Sequence, residues 1–437
     1  MTEDLNEAEA KLVGCFKMGN PCSFDNPPGK LPLMGDGMFS EGRNIIRAEV
    51  VQELLLSPPR VAPGKASKLV LSGASISGKL DLGCAHVIPF LFTECAFDDI
   101  PNLNDAKAEF VGFMGCLLPG IDLSRATIDG PLWFNDTTFR GMVRLDNASI
   151  SGDVDLDGCK IKKGDHHRGK FSFLLQGLRT QGSIYLSKGF ESEGGINAEG
   201  VSVAGKFACT SAKITNPEGL ALILDHSDIS FGFHGNGLNL KGSLNAHHAN
   251  IGCQFSLNDA KISDATKKAL RLDHVVIAGS ILMARASVKG EVDFHGAEVS
   301  CHVKMIKANI SSPNAYAVTA DQMRVGGILG FQEAEITGSV FLAASHFGSK
   351  VIFDGARIAK SSGAAINMDS CTIMNDVQAS KNFQCEGALV LRNSIVSGFV
   401  TLSDSVFNAS DGRAFDGTFL RSSGGLVAER STFTGLF

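Results

Sequence analysis

A nine-residue phrase, Ala/Ser-x-Ile/Val-x-Gly-x-Leu/Val-x-Leu/Phe, returns along most of this 437-residue chain, for example at 74–82, 126–134, 148–156 and 334–342. Self-similarity at a fixed period marks a stacked architecture, in which each unit buries its apolar face against the next. With the Ile-type position as marker, the phase falls at 128, 139, 150 and 161, and later at 229, 240, 251, 262 and 277. Three steps of 11 and one of 15 make a 48-residue super-repeat that recurs at 229, 277, 325 and 373. Eleven-residue steps also suit a right-handed coiled coil. The recurrent glycine and the alternating Leu-x-Leu exclude that, because a helix is destabilised by every interior glycine whereas short strands turned at glycines are not.

Two steps close one four-sided coil of about 22 to 26 residues, and coils stack at roughly 4.8 Å with in-register side-chain ladders. The expected fold is therefore all-β: a right-handed parallel β-helix of about fifteen coils by that spacing, over residues 65–437. Residues 1–64 read as a small helical cap. Leu5, Ala8, Leu12 and Phe16 have helical spacing over 3–18, and a second helix is expected from about Arg43 to Leu56, ending at Ser57-Pro58-Pro59. Such a cap would plug the open end of a β stack.

Around the marker the sequence resembles pentapeptide-repeat and related right-handed quadrilateral β-helix proteins, which also set a small residue two places before a central Leu or Phe. It departs from their 10-residue pairs by using 11. With the 45–56 segment and the Leu69-x-Leu71-x-Gly73-Ala74 opening included, it is similar over nearly the whole chain to bacterial proteins labelled "membrane-associated oxidoreductase".

The net charge of -6, from 46 acidic and 40 basic residues, gives no steering toward nucleic acid or an anionic membrane and argues against direct nucleic-acid binding. The start, Met1-Thr-Glu-Asp, lacks the basic and apolar regions of a signal peptide, and no run reaches the roughly 18 apolar residues of a membrane helix, so a cytoplasmic protein with no membrane span is expected. The 11 Cys are scattered and read as reduced, small buried side chains, Cys159 and Cys371 at the Ala position of the repeat and Cys253 and Cys301 at its Gly position.

No P-loop, nucleophile elbow, HExxH or CxxC cluster occurs, and Gly35-Asp-Gly37 with Gly42 is wrongly spaced for a dinucleotide fold. No catalytic residue, cofactor or metal is assigned. His166-His167 and His247-His248 read as surface histidines without the four-ligand spacing of a structural zinc site.

The candidate contact residues are of three kinds. Asp225, Asp273, Asp321 and Asp369 form a column at 48-residue steps, read first as carboxylates accepting backbone N–H groups at corners and second as a negative stripe for a cation or basic partner. The extra residues of the 15-residue step, at 215–219, 263–268 (with Lys267 and Lys268), 311–315 and 359–363, should line one edge as a polar ridge, with 162–169 as a longer basic version. Trp133 and Tyr185 share an outward phase. With 29 Phe against two Tyr and one Trp, aromatic residues belong mainly to a dry interior, too few being left for a sugar platform.

These features favour a non-catalytic scaffold or protein-interaction module of unknown partner. A DNA-mimicking protein acting on nucleic-acid enzymes and a polysaccharide-acting β-helix enzyme are the alternatives. The apolar tail around Phe433 and Phe437 adds the expectation of a homodimer through the C-terminal coil.

Overall fold

The computed structural model describes residues 4–24, 44–163 and 170–436. It is a parallel β-solenoid, with two α-helices among the described residues. The chain divides into two units, Met1–Ala208 with Ala212–Ile214, and Cys209–Ser211 with Thr215–Phe437.

In the first unit each coil contributes four short strands to four faces. Thr127–Ile128 pairs with Ser149–Ile150 on face one, Leu132–Trp133 with Val154–Asp155 on face two, Thr138–Phe139 with Lys160–Ile161 on face three, and Val143–Arg144 with Phe171–Leu174 on face four. All these pairings are parallel, so every strand satisfies its backbone groups in the coils on either side. The inward member of each pair is aliphatic or Phe: Ile128, Ile150, Leu132, Val154, Phe139, Ile161 and Val143 are each 1% exposed or less. Burying such a side chain stabilises by about 1.5–3 kcal/mol relative to leaving it in water, and the ladder repeats that gain at every coil.

The cap differs from its sequence reading. Helix α1 runs Glu7–Lys17, opened by a capping box between Asn6 and Glu9, but the second helix, α2, is only Ala48–Leu56. Its expected first turn, Ile45–Arg47, is instead a strand paired with Ser75–Ser77, and Cys22–Ser23 likewise pairs with the chain at Leu71 and Ser72. The β-branched Ile45 and Ile46 suit a pleated edge, and Ile46 is fully buried there. The segment before the repeats thus extends the sheets.

The second unit keeps faces one and two, as in Asn250–Ile251 with Val276–Ile277 and Phe255–Ser256 with Ile281–Leu282. Faces three and four fuse into one continuous strand per coil, alternately short (Ser287–Asp293) and long (Lys261–Arg271, Asn309–Thr319). The four surplus residues of the 15-residue step are absorbed as register shifts, between Ser263 and Lys268 and between Ser311 and Tyr316. The expected ridge of loops is therefore a row of bulges in strands, always at one phase.

Each coil has two tight corners whose third residue is left-handed. At 246–249 the Ala249 N–H donates to the Ala246 carbonyl at 3.2 Å, and His248 takes φ +52°. Glycine serves a different corner. Gly279, at the bend from face one to face two, has no positive φ, but a Cβ there would lie 2.5 Å from the Cys253 carbonyl oxygen of the preceding coil.

Candidate functional site

The corner joining face four to face one carries the densest polar chemistry in the second unit. Its second position reads Asp225, His247, Asp273, His295 and Asp321 in successive coils, and its third, left-handed position reads His226, His248 and His274. Corners place both positions outward because the flanking residues, such as Leu224 and Ser227 or Leu272 and Val275, are held inside by the turn.

The four aspartates of the predicted column do share this corner, two coils apart, and for Asp273 and Asp321 the preceding coil supplies a histidine partner. His247 Nδ1 lies 2.6 Å from Asp273 Oδ2, and His295 Nδ1 lies 2.9 Å from Asp321 Oδ2. Asp225 accepts the His247 backbone N–H at 2.9 Å, while Asp369 pairs with Arg392 at 3.2 Å. The Asx-type bond expected of these residues belongs mostly to side chains two places earlier, as where Asp293 accepts the His295 N–H at 3.0 Å.

Asp273 is the most enclosed of the four. Burial works to raise its carboxyl, but the Arg271 guanidinium, with Nη2 at 3.4 Å, and His247 outweigh it and hold the group below the usual carboxylate range. Its Oδ1, the buried Oδ1 of Asn245 and the Nε of Arg271 have no hydrogen-bond partner among the described residues.

Beside this ladder the imidazoles of the third position stack. His226 and His248 have ring centroids 5.6 Å apart at 18°, and His248 and His274 lie 5.0 Å apart at 14°. His247 sits 4.0 Å from His248, and His295 5.1 Å from His274. Desolvation, and then the neighbouring His247, His274 and His226, push the His248 pKa below the ordinary value.

Lys268 is engaged, its Nζ 2.6 Å from Asp293 Oδ2; the Lys267 side chain lies outside the described residues, as do 164–169 with His166 and His167. Trp133 is 36% exposed with its ring edge-on to Phe110 at 5.0 Å. Tyr185 lies on the same column, two coils along through Asp155, and holds the Lys206 ammonium 5.0 Å from its ring. Both belong to the first unit, so nothing places them at the histidine corner.

Cys159 and Cys371 are buried as expected, their thiols bonded to the carbonyls of Phe134 and Leu342 and raised by burial, Cys371 to about 12. Cys253 and Cys301 are exposed, contrary to expectation, because the glycine bend they occupy turns side chains outward.

What the sequence reading missed is the third-position column. It recorded the 48-residue spacing of His226 to His274 and of His247 to His295, but the coil-to-coil neighbour, His248, stands at unequal separations of 22 and 26.

Residues 113–160 match the family model of pentapeptide repeats (9 copies). This segment is similar to pentapeptide repeats. It covers a short stretch of the first unit, including the face-one to face-four pairings of Thr127–Ile128 through Val143–Arg144, and the same four-sided geometry is found in coils outside it. No curated protein matches the chain. No helix among the described residues is long and apolar enough to cross a membrane.

Proposed function

We propose that this chain is a non-catalytic β-helical scaffold whose outer corners engage a partner protein in the cytoplasm. The observation that carries this reading is the use to which surface charge is put. At the corner from face two to face three, Asp259 pairs with Arg285 at 2.7 Å, Lys307 with Glu333 at 3.3 Å, Lys381 with Asp354 at 3.0 Å and Asp404 with Arg430 at 2.6 Å. Each pair joins one coil to the next, so these charged groups are engaged in tying coils together rather than converging on a reacting atom. Exposed pairs are individually worth about 0–1 kcal/mol, and their repetition sets register more than stability.

The same alternation of sign weighs against the DNA-mimic alternative, which needs uninterrupted acidic columns. The polysaccharide-acting alternative would require a groove lined by aromatic platforms. Trp133 is tucked against Phe110 and Tyr185 lies under Lys206, which leaves neither ring face fully free for a sugar.

The deciding experiment has three arms on the purified chain: native mass spectrometry for a retained cofactor, incubation with a panel of acidic glycans, and a supercoiling assay with a DNA topoisomerase. The scaffold reading expects no retained organic cofactor, intact glycans and unaltered supercoiling. A stoichiometric organic cofactor or glycan cleavage would overturn it in favour of an enzyme, and topoisomerase inhibition in favour of mimicry.

A further inference from the structure

We propose that the exposed imidazoles of His248 and His274, next to His226 in one stack, chelate a borderline divalent transition-metal ion of the zinc, nickel or copper class. This goes beyond the scaffold reading, which stands or falls separately.

Imidazole is the donor these cations prefer among neutral protein ligands. The backbone does not require it here. The same left-handed position is filled by Asn147, Gly177 and Asn393 in other coils, so the demand for positive φ is met without a ring. In three successive coils the position is instead histidine, and the rings lie nearly parallel, 5.6 and 5.0 Å apart, on exposed side chains.

Two nitrogens bound to one such ion at about 2.0–2.1 Å in tetrahedral geometry stand roughly 3.3 Å apart. The outer edges of the His248 and His274 rings therefore need to close by less than about 2 Å by that geometry, through χ rotations that also turn the nearly parallel rings toward one another, on corners whose backbone is fixed by coil-to-coil bonds. The His248 N–H donates to the Asp273 carbonyl at 3.2 Å and that of His274 to the His295 carbonyl at 2.8 Å. Among the described residues no three His, Cys, Asp or Glu side chains already converge on one point. The unit is accordingly bidentate, with water completing the shell.

The Asp273 carboxylate of the same corner, which shares its charge with Arg271 and keeps one oxygen without a hydrogen-bond partner among the described residues, also favours a cation.

The test is calorimetric titration of the tag-free full chain with nickel chloride at pH 7.5, after iodoacetamide has blocked the exposed thiols of Cys84, Cys253 and Cys301. About one equivalent should bind with micromolar affinity, weakened at least tenfold by His248→Asn or His274→Asn and unchanged by His346→Asn. Asn accepts the left-handed backbone, so the coils should persist, as circular dichroism would verify. As a second reading, sub-stoichiometric copper should broaden the imidazole proton signals of His248 and His274 before those of His86 and His346. No binding in the alkylated chain, an isotherm that both substitutions leave intact, or broadening that begins elsewhere would each overturn the proposal.

Discussion

The carboxylate of Glu9, with no exposed side-chain surface, grips Arg47 at three points: Nε at 2.8 Å, Nη2 at 2.7 Å and the backbone N–H at 3.0 Å. It closes the capping box of α1 through the Asn6 N–H at 3.0 Å, so one side chain joins the first helix to the strand Ile45–Arg47 that extends the solenoid. Its hydrogen bonds with the Arg47 side chain, against an opposing burial effect, lower its pKa to about 2 from an ordinary 4.5. Because the folded value is depressed, the linked stability is present above pH 4.5 and lost as pH falls toward 2, and it amounts to about 2–3 kcal/mol at neutral pH. Glu9→Gln should forfeit most of that, and Arg47→Ala somewhat more because it strands the charge. Hydrogen exchange of the α1 amides at pH 7 measures both, and protection equal to the parent in either variant would contradict the pairing.

Gly279→Ala isolates the close approach of coils from backbone conformation, since this glycine has no positive φ and yet its Cβ would meet the Cys253 carbonyl at 2.5 Å. That carbonyl accepts the Gly279 N–H at 2.8 Å, so it has little room to retreat. A destabilisation of about 1–3 kcal/mol is expected. Gly412→Ala meets no neighbouring atom and should fall within about 0.5 kcal/mol of the parent. Thermal melts of the two variants side by side make the comparison.

The alternation of Ile128, Leu132 and Phe134 with polar neighbours announces an inward row at every coil, and these three residues are indeed buried. That part was legible because burial imposes a strict period. The twelve largest fully buried side chains are all Phe, in keeping with its excess over Tyr and Trp. The strand at Ile45–Arg47 was not legible, because the short segment Ile45-Ile46-Arg47 before a helical pattern fits either state until its partner, Ser75–Ser77, is placed beside it. Nor was the outward face of Cys253, which shares a sequence phase with glycine and so could not be told from a small interior residue. The histidine corner was half legible: its residues share a phase, but bulges of four residues in alternate coils disguise which are neighbours.

The coil that holds Phe419 and Leu426 presents the most exposed large apolar side chain of the described residues, Phe419 at 79%, with Leu426 at 40% and Phe399 of the preceding coil at 49%. The strand Gly425–Val427 pairs with Phe399–Thr401, which sets Leu426 and Phe399 on neighbouring rungs of one face. We expect a homodimer through this coil, with light scattering giving twice the 46.1 kDa chain mass and Phe419→Asp shifting it toward one chain. A single-chain mass for the parent at tens of micromolar would remove the expectation.

His248 also predicts how the second unit responds to acid. Desolvation and the charges of His247, His274 and His226 lower its pKa from 6.5, against the opposing pull of Asp273, so the folded chain takes up this proton less readily than the unfolded one. A histidine depressed in this way contributes stability that rises with pH and is lost as pH falls below about 6.5. His248→Asn removes the titrating ring while keeping a residue that tolerates φ +52°. Its melting temperature should therefore decline less between pH 7.5 and 5.5 than that of the parent, and the difference should shrink in a His226→Asn, His274→Asn background, where two of the three repelling neighbours are gone. Parallel pH profiles for parent and His248→Asn would show that the ring is already free of its neighbours.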